Sequence, residues 1–445
     1  MSGGLARIAL FAYRLAGIAL YPLASPYLTY RGLKRKEDPA RRLERLGYAS
    51  LPRPRGPLIW AHAASVGETL AIMPLIRELR RRQIHVLLTT GTVTSATIVE
   101  ARLGRKVIHQ YAPLDVKFPV KRFIAYWRPD ACITAESEIW PTTIAELSRR
   151  GIPQIRVNAR MSDRSFDRWR ARHSLAEALF EKLALVVAQS DLDAERFRDL
   201  GAWPVIVSGN LKTDTDPPPF DETVLAHYRG QIGGRKTWAA ISTFDGEEKA
   251  AATVHKALKE KNGQLTVIVP RHPERADAIE TMLKEEGLSV ARRSRNDPVT
   301  ESTDILLGDT IGEMGLYLRL TEIAFVGRSL THEGGQNPLE PAMLGCAVLS
   351  GPNLQNFRDA YQNLARKGAA RVVRDVEMLA KAVHYLLINE PARRKMMDAG
   401  HETMQEMRGA LGKTVKALEP YINPLTVTAR LQPKPKHKPK AAAVR

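Results

Sequence analysis

From about residue 57 onward, short apolar runs alternate with longer amphipathic stretches. Runs of this length separated by helix-length segments are typical of parallel β-strands connected by helices. The strands predicted in the first half are Leu58–Ala63, His85–Thr90, Val107–Tyr111, Ala131–Ala135, Gln154–Asn158, Leu185–Gln189 and Val205–Ser208. Helices are predicted between them, for example over Glu68–Arg82 and Thr142–Arg150. The pattern predicts a doubly wound α/β sheet.

The alternation is interrupted once, at TDTDPPPFDET (213–223), and then resumes. Three consecutive prolines cannot continue a helix or a central strand, so this stretch is predicted to be a linker. The strands predicted after it are Trp238–Ser242, Leu265–Val269, Leu288–Ala291, Asp304–Leu307, Ile323–Val326 and Ala347–Leu349. We therefore expect two Rossmann-like domains, 31–212 and 224–430, facing a cleft where ligands bind at the strand ends.

The N-terminal stretch 5–28 is apolar and aromatic, but Arg7 and Arg14 interrupt it. Its length is near the lower limit for a membrane span, so a tilted span, an interfacial helix and a helix packed on its own domain remain alternatives. Tyrosines near its end favour membrane contact, and the basic flank at 31–45 places the body in the cytoplasm. We expect residues 1–30 to form a membrane anchor helix at the cytoplasmic side of a cell inner membrane.

The charge balance is strongly basic, with 67 Lys and Arg against 48 Asp and Glu, a formal net charge of +19. Such a surface favours nucleic acid, an anionic bilayer or a phosphorylated substrate. The tail 431–445 is rich in Pro and Lys and is predicted to be disordered. The two cysteines, Cys132 and Cys346, stand in apolar runs and indicate buried thiols in a reducing compartment.

The first loop with candidate chemistry is HAASVGE (62–68), where small residues precede a helix predicted to start near Glu68. A turn of this kind exposes backbone N–H groups at a helix N-terminus. Glu68 either faces an acceptor hydroxyl as a general base or complements the helix dipole. The spacing alone does not favour one of these interpretations.

Two further loops of the first half carry charged candidates. NARMSDRS (158–165) brings Arg160 to the same edge of the sheet. In AESEIWP (135–141), Glu136 and Glu138 end an apolar strand and are expected to share one side of it. Acid pairs of this type are more often solvated than catalytic.

The second half contains the more specific pattern. Ser242 and Thr243 of STFDGEE (242–248) are positioned for a phosphate, and Arg271 of VPRHPER (269–275) suits a forked pair with an anion. GDTIGEMGLY (308–317) is another strand-to-helix turn. In GRSLTHEGGQNPLEPAMLG (327–345), a glycine pair is followed by an asparagine and a carboxylate on the next helical turn. These loops together are typical of a nucleotide-sugar donor site, with three candidates in the last one: Gly335, Asn337 and Glu340.

A metal site is not expected from the sequence. DLD (191–193) and DTD (214–216) have the D-x-D spacing used for divalent ions, but they fall in a helix-like run and in the linker. Both are interpreted as solvated. The chain also lacks a G-x-x-x-x-G-K-[ST] loop, which argues against an NTPase.

Ten motifs in this order carry a resemblance to one family: HAASVGE, GTVTSA, YAPLD, ESEIWP, NARMSDRS, GNLKTD, STFDGEE, PRHPER, GDTIGEM and GGQNPLEPAMLG. From about residue 20 to 420 the chain resembles the 3-deoxy-D-manno-octulosonic acid (Kdo) transferases of lipopolysaccharide synthesis. The resemblance implies a GT-B fold, CMP-Kdo as donor and the lipid A precursor lipid IVA as acceptor. It also implies an inverting transfer that needs neither a metal nor another cofactor.

By the same resemblance the general base falls on Glu68, which stands in the motif S-V-G-E that includes Ser65. One acid of the E-S-E motif is expected near the active centre. The positions that contact CMP in the family correspond to Arg271, Gly312, Glu313, Met314, Asn337 and Glu340.

This chain departs from the family pattern at two positions of interest. Phe244 and Gln336 stand where many members have histidine, and phenylalanine cannot take a polar role. The alternatives are a GT-B transferase or epimerase that uses another nucleotide sugar, and a basic membrane- or nucleic-acid-binding protein without catalysis. The lack of a nucleic-acid module argues against the last of these. The motifs are compatible with transfer of one, two or more Kdo units.

Overall fold

In a computed structural model of the chain we describe residues 2–34 and 36–431; the predicted tail from 432 on lies outside the described residues. The described chain forms two compact units. Unit 1 contains residues up to Thr215 together with the chain from Gly409 on, and unit 2 contains Asp216–Arg408. The crossing between Thr215 and Asp216 falls within the stretch 213–223 that was predicted to be a linker.

Each unit contains a seven-stranded sheet whose hydrogen-bonded pairs are all parallel. The strands of unit 1 are β1 (Leu58–Ala63), β2 (His85–Thr90), β3 (Ile108–Tyr111), β4 (Ala131–Ala135), β5 (Gln154–Ala159), β6 (Leu185–Ala188) and β7 (Val205–Val207). Those of unit 2 are β8 (Thr237–Thr243), β9 (Leu265–Pro270), β10 (Val290–Arg292), β11 (Ile305–Leu307), β12 (Ile323–Val326), β13 (Ala347–Ser350) and β14 (Ala370–Val372).

The helices are likewise numbered in chain order. Up to Thr215 they are α1 (Ser2–Leu20), α2 (Ala24–Leu33), α3 (Arg42–Arg45), α4 (Val66–Arg81), α5 (Val93–Leu103), α6 (Lys117–Trp127), α7 (Pro141–Arg149), α8 (Asp163–Arg170), α9 (His173–Phe180) and α10 (Asp191–Asp199). The remaining helices are α11 (Glu222–Ile232), α12 (Glu247–Asn262), α13 (Ala276–Glu285), α14 (Met314–Tyr317), α15 (Leu339–Met343), α16 (Arg358–Arg366), α17 (Val376–Ile388), α18 (Glu390–Met407) and α19 (Ala410–Leu431).

The two sheets have the same kind of strand order, β3-β2-β1-β4-β5-β6-β7 in unit 1 and β10-β11-β9-β8-β12-β13-β14 in unit 2. In both, the first strand of the unit lies inside the sheet and the order reverses beside it. The predicted strands are all present, whereas β14 was not predicted. That strand is three residues long, lies at the edge of its sheet and leaves two of them exposed, so its sequence carries almost no strand signal.

The N-terminal stretch is helical from α1 through α2, and residues Ala6–Leu33 are long and apolar enough to cross a membrane by length and composition alone. α1 packs against α9 and α6 of unit 1. Tyr13 donates a hydrogen bond of 3.0 Å to Asp115 from the packed side. The outer face remains apolar and exposed, since Phe11 is 62% exposed and Ile8 and Leu15 are also exposed.

The last helix corrects the prediction that residues 224–430 form one domain. α19 belongs to unit 1, where Leu418 and Ile422 are buried with the residues around β1 and β2. Asp214 accepts hydrogen bonds from the backbone N–H groups of Gly409 (2.8 Å) and Leu411 (2.6 Å) at the point where the chain returns. An apolar stripe on a helix predicts that one face is buried. It does not indicate which domain core buries that face.

Candidate functional site

In unit 1 the strand order reverses between β1 and β4. The loops that follow these two strands leave the sheet at its carboxyl end and turn to opposite faces. Ligands of doubly wound sheets bind at this point. The loop after β1 contains Ser65 and Glu68, and the loop after β4 contains Glu136 and Glu138, so the fold brings together acids predicted from separate motifs.

Glu68 is fixed in the first turn of α4. Its Oε1 accepts a hydrogen bond from the Ser65 hydroxyl (2.9 Å) and its Oε2 accepts one from the Ala64 N–H (2.8 Å). Ser65 is the N-cap and accepts from the Glu68 N–H (3.3 Å). This reciprocal arrangement is a variant of the capping box. α4 begins at Val66, two residues before the predicted start, so Glu68 lies inside the helix rather than at its first position.

The surroundings of Glu68 raise the pKa of its carboxyl group to about 7. Burial is the largest cause, and the negative charges of Glu136 and Glu138 add to it. The hydrogen bonds from Ala64 and Ser65 act in the opposite direction. A carboxylate with a pKa near the working pH is suited to accept a proton in a reaction. The capping contacts of Glu68 are thus present, and its raised pKa is compatible with a general base as well.

Glu136 and Glu138 do not share a face of a strand as expected. β4 ends at Ala135, and Glu136 takes a left-handed backbone conformation (φ 52°), so the two acids lie in a turn. Glu138 accepts a hydrogen bond from the Trp140 indole N–H (2.8 Å). The prediction failed because the alternation of side chains applies only while the chain stays extended.

Lys212 is a residue of this site that the sequence reasoning did not select. Its ammonium group donates to Glu136 Oε1 at 2.7 Å, and both side chains are mostly buried. Lys212 stands in GNLKTD (209–214), which carries the family resemblance, and that motif was the signal that could have identified it. Arg160 follows β5 on the same edge of the sheet.

A buried cation lies beneath the acids of unit 1. Arg156 is 2% exposed, and burial lowers the pKa of its guanidinium to about 10, so it remains charged at neutral pH. With His62 and Trp140 it lines a cavity of about 20 Å³, room for one water molecule. The charge of Arg156 offsets part of the repulsion between the carboxylates of Glu68 and Glu138.

In unit 2 the strand order reverses between β8 and β12. The loop after β8 corrects one prediction, because Thr243 is buried and its hydroxyl donates to Glu248 Oε1 (2.9 Å) instead of facing a phosphate. Ser242 is half-buried and takes a left-handed backbone conformation (φ 51°). Of the two predicted phosphate contacts, Ser242 alone keeps a partly accessible side chain.

A buried carboxylate joins the loops after β8 and β12. Glu247 is 1% exposed and accepts hydrogen bonds from four backbone N–H groups. Their donors are Phe244 (2.9 Å), Arg328 (2.6 Å), Ser329 (2.9 Å) and Leu330 (3.0 Å). A single carboxylate thus fixes both loops at the reversal point.

The glycine pair of the last motif has an internal role. Gly335 is buried with φ 69°, and a Cβ atom there would lie 2.7 Å from the carbonyl oxygen of Asn353. Gly334 would meet the Asn356 side chain in the same way. The close approach that these glycines permit is to the protein's own turn at 353–356, whereas the sequence suggested approach to a ligand.

The remaining donor-site candidates lie at strand ends of unit 2. Glu313 holds the turn before α14 by accepting from Arg293 (2.8 Å) and from Thr310, while Gly312 (φ 88°) leaves open space around its Cα and Met314 begins the helix. The Asn337 amide contacts Glu340 at 3.3 Å in the first turn of α15.

One acid of each D-x-D pair is engaged within the protein, contrary to the solvated interpretation, whereas Asp191 and Asp216 are exposed. Asp193 is 6% exposed and accepts from the Met161 N–H (2.8 Å), and Asp214 caps α19 as described above. In the part of the chain that the structure describes, no three His, Cys, Asp or Glu side chains come together as a possible metal site. Cys132 and Cys346 are both buried free thiols.

Two successive parallel α/β units of this strand order define the GT-B fold. A glycosyltransferase from Rickettsia africae superimposes over 83% of this chain and 99% of its own length, with a TM-score of 0.57 at 11% identity. A UDP-GlcNAc 2-epimerase from Neisseria meningitidis covers 81% of this chain and 99% of its own, with a TM-score of 0.56 at 15% identity. At these identities the likeness shows the fold alone.

The chain belongs to the family of 3-deoxy-D-manno-octulosonic acid transferases. It is 35% identical to the 3-deoxy-D-manno-octulosonic acid transferase of Haemophilus influenzae over 93% of this chain and 98% of that protein. The transferase of Bordetella pertussis is also 35% identical, over 84% and 90% of the two chains. Residues 40–215 match the family model described as 3-Deoxy-D-manno-octulosonic-acid transferase (kdotransferase).

Proposed function

We propose that this protein transfers Kdo from CMP-Kdo to lipid IVA in lipopolysaccharide synthesis, with inversion at the anomeric carbon and Glu68 as the general base. The observation that carries the proposal is the carboxylate of Glu68, which is held in a fixed position at the reversal point of unit 1 with a pKa of about 7. Family membership supplies the sugar, and the acceptor follows from the resemblance.

In the proposed reaction Glu68 accepts the proton of an acceptor hydroxyl as its oxygen attacks the anomeric carbon of Kdo. The new glycosidic bond forms as the bond from that carbon to the phosphate oxygen of CMP breaks, and CMP leaves with the electron pair. Arg271 and the backbone N–H groups of the turn at Gly312–Met314 stabilise the leaving phosphate. We propose a metal-independent reaction because one acid of each D-x-D pair, Asp193 or Asp214, is engaged within the protein, so neither pair is available as a pair.

We further propose that the protein works at the cytoplasmic side of the inner membrane, with α1 lying in the interface. Because α1 packs on α9 and α6, one face of it is covered by protein and the other presents Ile8, Phe11 and Leu15. A helix used in this way suits interfacial attachment better than a span. The net charge of +19 adds attraction to anionic lipid and to a phosphorylated acceptor.

The test is transfer by the Glu68→Ala variant, measured by mass analysis of the lipid product after incubation with CMP-Kdo and lipid IVA. We expect turnover to fall by about 10²- to 10⁴-fold with CMP affinity nearly unchanged, since that is the contribution of a general base to the rate. Retained turnover would remove Glu68 from the role of base. Thermal shifts measured with CMP, UMP and GMP distinguish the proposal from the alternative of another nucleotide sugar. The proposal predicts that CMP stabilises the protein most, whereas the alternative predicts a different nucleotide.

A further inference from the structure

The loops at the reversal point of unit 2 bring a cluster of cationic and aromatic side chains together. Phe244 follows β8 and Arg328 follows β12, and these two strands are neighbours in the sheet. The Arg328 guanidinium lies over the Phe244 ring, 5.1 Å from its centroid. The imidazole rings of His272 and His332 flank the same ring at 5.4 and 5.9 Å. The aromatic residue at position 244 thus supports a cation beside two histidines.

The backbone of Arg328 is fixed on both sides. Its N–H donates to the buried Glu247 (2.6 Å), and its carbonyl accepts from the Gly335 N–H (2.7 Å). It has a left-handed conformation (φ 53°), which is uncommon for a residue with a side chain and occurs frequently at functional sites. The fixed backbone and the ring beneath it hold the guanidinium in one region of space.

The arginines around Phe244 differ in whether they are paired within the protein. Arg275 is engaged by Asp245 (2.8 Å) and Glu248 (2.9 Å), so its role is structural. By contrast, within residues 2–34 and 36–431 the guanidinium groups of Arg271 and Arg328 have no hydrogen bond and no ion pair. Asp245 and Glu248 are therefore paired with Arg275, and the other two arginines, Arg271 and Arg328, are available to anions.

His332 adds a fixed polar atom at the rim of the cluster. The Thr331 hydroxyl donates to the Asp245 carbonyl (2.9 Å), so it accepts from Nδ1 of His332 (2.8 Å). The proton is then on Nδ1, and Nε2 is the nitrogen that a ligand can meet.

We infer that Arg328 binds the carboxylate of the donor sugar, while Arg271 binds the donor phosphate. The inference rests on the proposed function, because the donor is then an octulosonic acid with a carboxylate and a phosphate on the same anomeric carbon. Two anions so close together require two cationic groups, and arginine forms forked pairs with both kinds. Phe244 is a positioning residue that orients the guanidinium of Arg328.

The test compares the binding of CMP and of CMP-Kdo to the full-length protein by calorimetry, without acceptor so that no transfer takes place. For Arg328→Gln we expect the Kd of CMP-Kdo to rise about 10- to 100-fold, as for a lost charge-assisted bond, while the Kd of CMP changes less than about threefold. Arg271→Gln should weaken both ligands. Arg371→Gln, an exposed arginine on the edge strand β14, is the matched control and should change neither.

Phe244→Leu leaves the charge of Arg328 in place and removes the ring beneath it. The Kd of CMP-Kdo should then rise about two- to fivefold, while the Kd of CMP should not change. Equal weakening of CMP and CMP-Kdo by Arg328→Gln would assign this arginine to the phosphate and overturn the inference. No change in either ligand, or a wild type that binds CMP-Kdo no more tightly than CMP, would also overturn it. A wild type that binds neither CMP nor CMP-Kdo would instead contradict the proposed function.

Discussion

Individual residues in this protein combine structural and chemical tasks. Glu68 accepts two hydrogen bonds that belong to a helix cap, yet burial and two neighbouring acids raise its pKa to about 7. A neutral glutamine could keep both contacts, since its oxygen accepts from Ala64 and its amide donates to the Ser65 hydroxyl. The cap thus fixes the position of the carboxylate, and burial together with the neighbouring acids sets its pKa.

The pKa of Glu68 predicts a pH dependence of transfer. In the proposed mechanism Glu68 must be ionised to accept a proton, so the rate should fall as the pH drops through about 7. Glu138→Gln removes one of the charges that raise this pKa and can keep the contact to Trp140. The acid limb of the kcat/KM profile should then move to lower pH by roughly half a unit, as for a partly exposed charge pair. Glu195→Gln, on the exposed side of α10, should leave the profile unchanged, and an unshifted limb in Glu138→Gln would show that Glu138 does not act on the base.

At the scale of elements, the loops of unit 2 are held by contacts between segments far apart in the chain. Glu247 fixes two loops through four backbone N–H groups, and Gly335 packs against the turn at 353–356. Neither role is visible in a local pattern, because each depends on a partner more than fifteen residues away. These long-range contacts fix the loops after β8 and β12 to each other and to the turn at 353–356.

Gly335→Ala should destabilise unit 2. The added Cβ would lie 2.7 Å from the Asn353 carbonyl, and φ at this position is 69°, so the free energy of unfolding should fall by about 1–3 kcal/mol. Chemical denaturation monitored by hydrogen exchange measures this change in the free energy of unfolding. Gly234→Ala is the control, since nothing lies within 4 Å of its Cβ position and its φ is not left-handed. Equal stability of the two variants would show that the turn adapts.

The helix α1 presents a second prediction at this scale. Phe11→Glu places a charge on its exposed apolar face without touching the packed side, so binding to vesicles of phosphatidylethanolamine and phosphatidylglycerol should fall about tenfold or more in a flotation assay. Ile388→Glu, at an exposed apolar position of unit 2, serves as the control. Alkaline carbonate should extract the protein from these vesicles if α1 lies flat, and resistance to extraction would favour a span.

At the scale of the whole molecule, the chain leaves unit 1 at Thr215 and returns to it at Gly409. Asp214 accepts a hydrogen bond from the backbone N–H of Gly409, which lies 195 residues further along the chain. α19 then adds Leu418 and Ile422 to the core of unit 1. The folding of unit 1 is thus completed only after the whole of unit 2 has been synthesised.

Leu418→Ala should therefore weaken unit 1 and leave unit 2 unaffected. Removing a fully buried leucine side chain costs about 2–5 kcal/mol. Native-state hydrogen exchange should show faster exchange in β1 and β2, with β8 and β9 unchanged. Val427→Ala on the exposed face of the same helix is the control. Faster exchange in β8 instead of β1 would contradict the assignment of α19.

The sequence by itself determined the strands other than β14 and the loops after them, because short apolar runs and turn residues act locally. It also predicted membership of the Kdo transferases, which the family comparison confirms. The tertiary structure decided which polar groups are hydrogen-bonded within the protein. Thr243 donates to Glu248, and Asp214 accepts from the backbone of the returning chain. The tertiary structure also decided which core α19 completes. These outcomes depend on long-range pairing, which local patterns of hydrophobicity and charge do not encode.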